Sequence, residues 1–333
     1  MADQQGQKKL TIQDIARISG LSTATVDRVL NNRPGVRKST RLRVEEALKQ
    51  PLLPEPPETK HIAFVIDAGT SFIDIVHTAL NNVQAHYPHI TFTFDSVPSS
   101  QRDQHTFCQL LTARIADSDG IVLVSREDVL VNSVVREARL ENVPIVCLTS
   151  DLPHSAACIG PDEVSTGANA AWFMGRMLPP QPARVLFVAS TTYRAQEERE
   201  MGFRRVMRSE FPHLDMIEKI NANDESAETY QIMKEVLAQN ANVAGIYNLA
   251  GGNRGIARAL REAGLSGKTI FIGHELTEHT QKLLERGEMD IVFAHDMERE
   301  IRDCICTIED LLQGKTVTRS FCHSLMYTQH SRF

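Results

Sequence analysis

The sequence predicts an α/β chain in which an N-terminal three-helix helix-turn-helix headpiece precedes two doubly wound α/β lobes. Three observations carry that prediction. From residue 61 onward short apolar runs alternate with helical stretches, the pattern of parallel strands joined by crossover helices. The first fifty residues instead hold three short helical patterns with a glycine turn between the first two. Charge is also unevenly divided: residues 1–50 carry ten Lys/Arg against five Asp/Glu, a net of +5, while the remainder of the 333 residues carries −11. A basic head on an acidic body is expected to meet a polyanion with its head only.

Composition narrows the classes. With 42% hydrophobic and 23% charged residues the chain is neither disordered nor fibrous. No run approaches the 18 or so apolar residues of a membrane span. The start, Met1 to Lys9, lacks the apolar run of a signal peptide, so a cytoplasmic protein is expected. The six cysteines show no C-x-x-C spacing and read as buried apolar thiols, and neither a metal nor another cofactor is expected.

In the headpiece, Thr11 is a suitable cap for a helix whose Ile12, Ile15, Ala16 and Ile18 form an apolar stripe. Gly20 suits its left-handed end. Ser22 caps a second helix, Thr23 to about Leu30, with Val26, Val29 and Leu30 inward. Asn32-Arg33-Pro34-Gly35 is a turn, and a third helix runs from near Ser39 to Lys49. The second helix exposes Thr23, Thr25 and Arg28, small polar groups and an arginine that fit a major groove. Arg17, Arg33, Arg37, Lys38, Arg41 and Arg43 surround it as candidate phosphate partners.

The segment Leu10-Thr11-Ile12-Gln13-Asp14-Ile15-Ala16, Gly20-Leu21-Ser22-Thr23-Ala24-Thr25-Val26 and Arg28-Val29-Leu30-Asn31 resembles the headpiece of lactose-repressor-type (LacI/GalR) transcription regulators. The resemblance implies base-edge reading by Thr23, Ala24 and Arg28, and phosphate contacts by Thr11, Ser22, Thr25 and Asn31, to which Arg37 and Lys38 are added on charge. Asp27 stands where the family usually has serine. A carboxylate there repels phosphate unless it pairs with a neighbouring arginine or accepts from cytosine.

After the third helix the family usually has a hinge helix. This chain has Gln50-Pro51-Leu52-Leu53-Pro54-Glu55-Pro56-Pro57-Glu58-Thr59-Lys60, which cannot form a regular helix and reads as a stiff spacer over 51–60. The body resembles the type I periplasmic-binding-protein core of the same family, most firmly at Gly160-Pro161-Asp162, Glu198-Arg199-Glu200-Met201-Gly202-Phe203 and Phe271-Ile272-Gly273-His274-Glu275. That resemblance implies three crossings between the lobes. It places residues 61–158 and 293–320 in the N-lobe, and 159–292 and 321–333 in the C-lobe.

Strands are expected near 61–66, 92–94, 120–124 and 144–148, then near 184–188, 214–220, 243–247, 269–273 and 290–294. Ligands of such folds sit at strand ends facing an interlobe cleft. Those positions hold Asp67, Ser71, Phe72, Asp95, Ser125, Arg126, Asp128, Asp151, Asp162, Tyr193, Arg194, Glu197, Asn248, Asn253, Glu275, His295 and Asp296. All but Arg126 and Asp296 are taken as candidate ligand contacts. Carboxylates, amides and an arginine around an aromatic suit a sugar, polyol or related polar metabolite. Asp67, Asp162 and Asn253 also have a plain reading as helix caps. Arg199 is left off the site, because Glu198 and the neighbours of Glu200 offer it helical partners. Arg194 is expected to stand in for an arginine that many sugar-binding relatives have where this chain has Glu197.

The expected function is a ligand-responsive, sequence-specific DNA-binding regulator, a repressor, acting as a homodimer on operator DNA. The chain end, Tyr327 to Phe333, has no heptad extension for a tetramer. The alternative is a cytoplasmic α/β enzyme using the same cleft for a polar or nucleotide-like substrate. Asn248 to Gly255 follows a strand as a phosphate loop would, but it lacks the G-x-G-x-x-G spacing and a Walker lysine.

Overall fold

The computed structural model describes residues 10–49, 59–189, 193–221, 225–240, 242–317 and 320–333. It divides into two compact units, Met1–Glu58 and Thr59–Phe333. Nearly all of the proline-rich spacer lies outside the described residues, and its last residue, Lys60, already belongs to a strand.

The first unit is built from α1 (Ile12–Ser19), α2 (Thr23–Leu30) and α3 (Lys38–Ala47). Thr11 caps α1 in a reciprocal box with Asp14, and Gly20 ends the helix at φ 63°. Ile15, Ala16, Val26, Val29, Val44 and Ala47 form its core. Leu30, expected inward, is instead 39% exposed, because Val26 and Val29 already fill the buried side of α2.

In the second unit the elements are β1 (Lys60–Ala68), α4 (Thr70–Val83), β2 (Ile90–Pro98), α5 (Gln104–Asp117), β3 (Gly120–Val124), α6 (Val129–Leu140), β4 (Ile145–Leu148) and β5 (Ala157–Pro161). These are followed by α7 (Glu163–Met177), β6 (Ala183–Ala189), α8 (Arg194–Glu210), β7 (Leu214–Asn221), α9 (Ser226–Gln239), β8 (Val243–Asn248), α10 (Asn253–Glu262), β9 (Ile270–His274), α11 (Glu278–Glu285) and β10 (Ile291–Ala294). The chain ends with α12 (Met297–Leu312), β11 (Ser320–Cys322) and β12 (Leu325–Tyr327). One sheet has the order β11-β5-β4-β3-β1-β2 and the other β12-β10-β9-β8-β6-β7. All pairings are parallel except β10 with β12.

Strand alternation explains the layers. Along β1, Ile62, Phe64 and Ile66 pack with Val76 and Leu80 of α4 and with Ile301, Ile305 and Ile308 of α12. Ala63 and Val65 point the other way, to Phe107 and Leu111 of α5 and Val131 and Val135 of α6. The second sheet repeats this arrangement. Phe187 faces α7 and α8, while Leu186 and Val188 face α9 and α10.

The chain passes between the lobes three times: after β5, after β10, and between β11 and β12. This moves the expected boundaries by a few residues. Residues 159–161 and 321–322 pair within the first sheet, and 293–294 within the second. Sequence reading missed β5, whose five residues end in Gly-Pro, and the three-residue β11 and β12. Of the cysteines, Cys306 is exposed and the other five are buried, which corrects the uniformly buried expectation. Burial pushes the Cys147 thiol up to about 12, which leaves it inert at neutral pH.

Helices α7 and α8 cross at backbone contact. A Cβ on Gly202 would lie 1.9 Å from Val164 O, and one on Gly167 would lie 1.9 Å from Arg199 O. Gly202→Ala must therefore push the helices apart, since a backbone carbonyl has no rotamer to escape into. Its expected cost is about 1–3 kcal/mol, read as a lower urea midpoint; an unchanged midpoint would mean that the helices separate freely.

Candidate functional site

The headpiece presents Thr23, Ala24 and Arg28 exposed on α2. The Thr25 amide donates to Ser22 Oγ at 3.3 Å, and the two hydroxyls are 2.8 Å apart. Asn31 closes the helix, its Nδ2 donating to Asp27 Oδ1 at 2.7 Å. The headpiece cations divide into two groups, and of those expected at phosphate Arg17 lies 3.9 Å from Asp14. Arg41 donates to Asn32 Oδ1 and to the Arg33 carbonyl, Arg43 to the Ser19 carbonyl, and Arg33 lies 3.4 Å from Asp27. Arg28, Arg37 and Lys38 are exposed and have no ion-pair partner among the described residues. Of these, Arg37 and Lys38, expected at phosphate, are the groups that can release counterions from DNA.

In the body, a partly open cavity of about 60 Å³ lies between the two lobes. Of the expected contacts, Ser71, Phe72, Tyr193, Glu275 and His295 line its wall, and the structure adds Thr149, Ser150, Gln196 and Arg199. The rings of Phe72 and His295 meet in a T-shaped arrangement with 5.9 Å between centroids. Thr149 and Glu275 hold φ of 66° and 72°, strained values for side chains of their size. Gly160 makes the first possible, since a Cβ there would sit 2.9 Å from Thr149 Cα.

The remaining expected contacts do not line this cavity, and each has a physical reason. Asp67 is fully buried, with its Oδ2 3.1 Å from Arg102 Nε and 3.2 Å from Arg126 Nε, while Tyr193 donates its hydroxyl to Oδ1 at 3.1 Å. It is a cross-cleft anchor, not a helix cap. Asp95 pairs with Arg114 at 2.6 Å. Ser125 donates to the Arg126 carbonyl, and Asp151 accepts from Ser155. Asp162 caps α7. Asn248 and Asn253 are buried and brace the glycine loop, Asn248 donating to the Gly251 carbonyl and Asn253 to that of His274. Asp128, Arg194 and Glu197 lie together in a separate groove with Glu127, where Asp128 also pairs with Arg102 at 2.6 Å.

Arg199 corrects the sequence reading most. Its partner is not Glu198 or a neighbour of Glu200 but Glu163 of α7, 2.6 Å from Nε to Oε2 and bidentate through Nη2. The guanidinium also donates to the Leu249 carbonyl. His295 donates Nδ1–H to Glu300 at 3.0 Å, and its Nε2 lies 3.4 Å from Arg199 Nη2. Glu163, Arg199 and Glu300 are buried, and the His295 side chain is almost so. Burial works against the charged form of His295, but Glu300 and Glu163 outweigh it and hold its pKa above the ordinary value. The four side chains thus form one buried, hydrogen-bonded network under the cavity. The sequence hints of the Arg199–Glu163 pairing were Gly167 and Gly202, which let α7 and α8 approach.

Beside them His274 is pushed well below its ordinary pKa, first by burial and then by the charges of Arg199 and His295. It stays neutral and meets the Tyr247 hydroxyl at 2.9 Å. Below about pH 6.5 the unfolded chain takes up a proton here that the folded chain refuses. Stability is therefore expected to fall, relative to a His274→Gln variant, as pH drops from about 7 to about 5. Thermal melts of the two proteins across that range check the sign, and parallel curves would remove His274 from the account.

The profile for "Bacterial regulatory proteins, lacI family" matches residues 11–51, and that for "Periplasmic binding protein domain" matches residues 62–316. The HTH-type transcriptional regulator TreR of Salmonella typhimurium is 57% identical over 44 residues, covering 13% of this chain and 14% of that protein. The chain thus spans only about a seventh of that relative. The HTH-type transcriptional regulator GalR of Salmonella typhimurium is 25% identical over 283 residues, 80% of this chain and 79% of the relative. Among solved structures, GanP, a glucose-galactose binding protein from Geobacillus stearothermophilus, superposes with a TM-score of 0.74 at 16% identity, covering 82% of this chain and 98% of its own. At that identity the likeness establishes the fold.

Proposed function

We propose that this chain, which belongs to the periplasmic binding protein domain family over residues 62–316 and matches the lacI family of bacterial regulatory proteins over residues 11–51, is a ligand-responsive, sequence-specific DNA-binding transcription regulator. The observation that carries the reading is the pairing, in one chain, of a capped recognition helix beside three cations that have no ion-pair partner among the described residues with a polar cleft between two lobes. The relatives are transcription regulators, which lends the rival enzyme reading no support. We further assign it the role of a repressor, a cytoplasmic location, and a homodimer that sets two headpieces on a pseudo-palindromic operator. Among the described residues no helix is long and apolar enough to cross a membrane.

For the effector we propose a neutral polar molecule of the sugar or polyol class. Arg199 is already matched by Glu163, and His295 by Glu300, so a net-charged ligand gains no uncompensated partner from this network. Phe72 offers an apolar surface, while Ser71, Gln196, Arg199 and Glu275 offer hydrogen-bonding groups. Ligand in the cleft would add to the closed contacts already present, Tyr193 to Asp67 and the Ala195 amide to Ser150 Oγ at 3.4 Å, and so bias the lobes.

The test is selection of genomic fragments on the purified chain, followed by titration of the enriched duplex with sugars and polyols. An enriched palindrome whose affinity changes with one such compound supports the reading. Binding indifferent to sequence would overturn it.

A further inference from the structure

The recognition helix carries a carboxylate in the middle of its exposed face. Residues four apart lie one above the other on a helix, so Asp27 falls between Thr23 and Asn31, beside the row of Ala24 and Arg28. Val26 and Val29 are buried on the far side. Every other exposed member of this face is neutral or basic, and phosphate repels a carboxylate placed there.

Both oxygens of Asp27 are directed toward the C-terminal end of the helix. Oδ1 accepts from Asn31 Nδ2 at 2.7 Å, and Oδ2 lies 3.4 Å from Arg33 Nη1. The turn carrying Arg33 is itself held. Its amide donates to the Arg28 carbonyl at 2.9 Å, and Arg41 of α3 donates to its carbonyl at 3.2 Å. Arg33 is thus an exposed cation on a fixed backbone, and its charge is partly spent on an acid of the same domain.

We propose that Asp27 is a specificity-determining positioning residue: it holds Asn31 and Arg33 back from phosphate and so lowers affinity for DNA of the wrong sequence more than for the operator. The inference rests on the reading of α2 as the DNA-reading helix. On non-operator DNA affinity is almost wholly electrostatic, and a loosely docked head can bring any free cation to a phosphate. On the operator, base contacts fix the docking, and Arg33 stays where Asp27 and Arg41 keep it. A cation taken out of circulation therefore costs the nonspecific complex more.

The test uses the full chain, as wild type, Asp27→Asn and Asp27→Ser, on two duplexes: the fragment enriched by wild-type selection and a scrambled sequence of equal length. Asp27→Asn keeps an acceptor for Asn31 but loses the charge, so it reports on the proposal even if Asp27→Ser loosens the helix end. On the scrambled duplex both variants are expected to steepen the slope of log affinity against log salt by about 0.9 for each bound headpiece. That is about threefold more affinity lost per head between about 50 and about 200 mM salt. The preference for the enriched duplex should fall in step at low salt.

An unchanged slope and preference would overturn the proposal. A variant that binds the enriched duplex less well, prefers a different base at one position and keeps the wild-type slope would overturn it in favour of direct cytosine reading by Asp27. If the wild type itself shows no preference between the duplexes, the DNA-reading assignment fails first, and this inference falls with it.

Discussion

Glu163→Ala is expected to destabilise the effector-binding body by about 3–5 kcal/mol, because it leaves the Arg199 guanidinium buried without its carboxylate. The loss should reach beyond one pair. Arg199 approaches His295, and His295 bonds Glu300, so removing Glu163 leaves the guanidinium beside the imidazole without its bidentate acceptor. A double variant, Glu163→Leu with Arg199→Met, removes the charge and its partner together and should recover much of the stability, as apolar replacement of buried ion pairs often does. It should not recover function, because the guanidinium in the cavity wall is gone. Urea unfolding of the three proteins, with calorimetric titration of the effector, separates the two roles. If the double variant is as unstable as the single one, packing of α7 on α8 rather than charge balance is what Glu163 supplies. If it still binds effector with wild-type affinity, Arg199 leaves the binding account.

The alternation of apolar runs made the two lobes legible in advance, because a strand buried on both faces has to be continuously apolar, as at Val122 and Val146. The headpiece was legible for a different reason: Thr11, Ser22 and Gly20 act on backbone within a few residues of themselves, so their roles need no long-range knowledge. Strand-end placement located Phe72, Tyr193, Glu275 and His295 near one cavity. It could not tell which acids would be consumed by arginines. Asp67 is matched by Arg126, 59 residues away, and Asp95 by Arg114, 19 away. A helical register offered Arg199 two adjacent glutamates, and its actual partner lies 36 residues earlier. Pairing across layers is set by how closely helices approach, and in sequence that approach was recorded only by glycines 167 and 202.

Arg28→Ala is expected to have its effect on DNA alone. Its side chain is exposed on α2 and holds no ion pair among the described residues, so truncation leaves the headpiece core of Val26, Val29 and Val44 intact. A bidentate arginine–guanine contact is worth about 1–3 kcal/mol of base discrimination. In the proposed homodimer, with two headpieces on a palindrome, the preference of the whole protein for its operator should fall by about 2–6 kcal/mol, spread over the two symmetric positions. Lys38→Ala supplies the contrast. It is exposed at the start of α3, and a phosphate contact made there is the same on every sequence, so its loss should weaken all duplexes alike and make the salt slope shallower by about 0.9 per head. The two substitutions should therefore separate on one set of binding curves: relaxed preference at constant slope for Arg28→Ala, constant preference at reduced slope for Lys38→Ala. Preference untouched by Arg28→Ala would move base reading to Thr23 and Ala24. The reverse pattern, with Lys38→Ala relaxing preference, would place the N-terminus of α3 in the groove and α2 against the backbone.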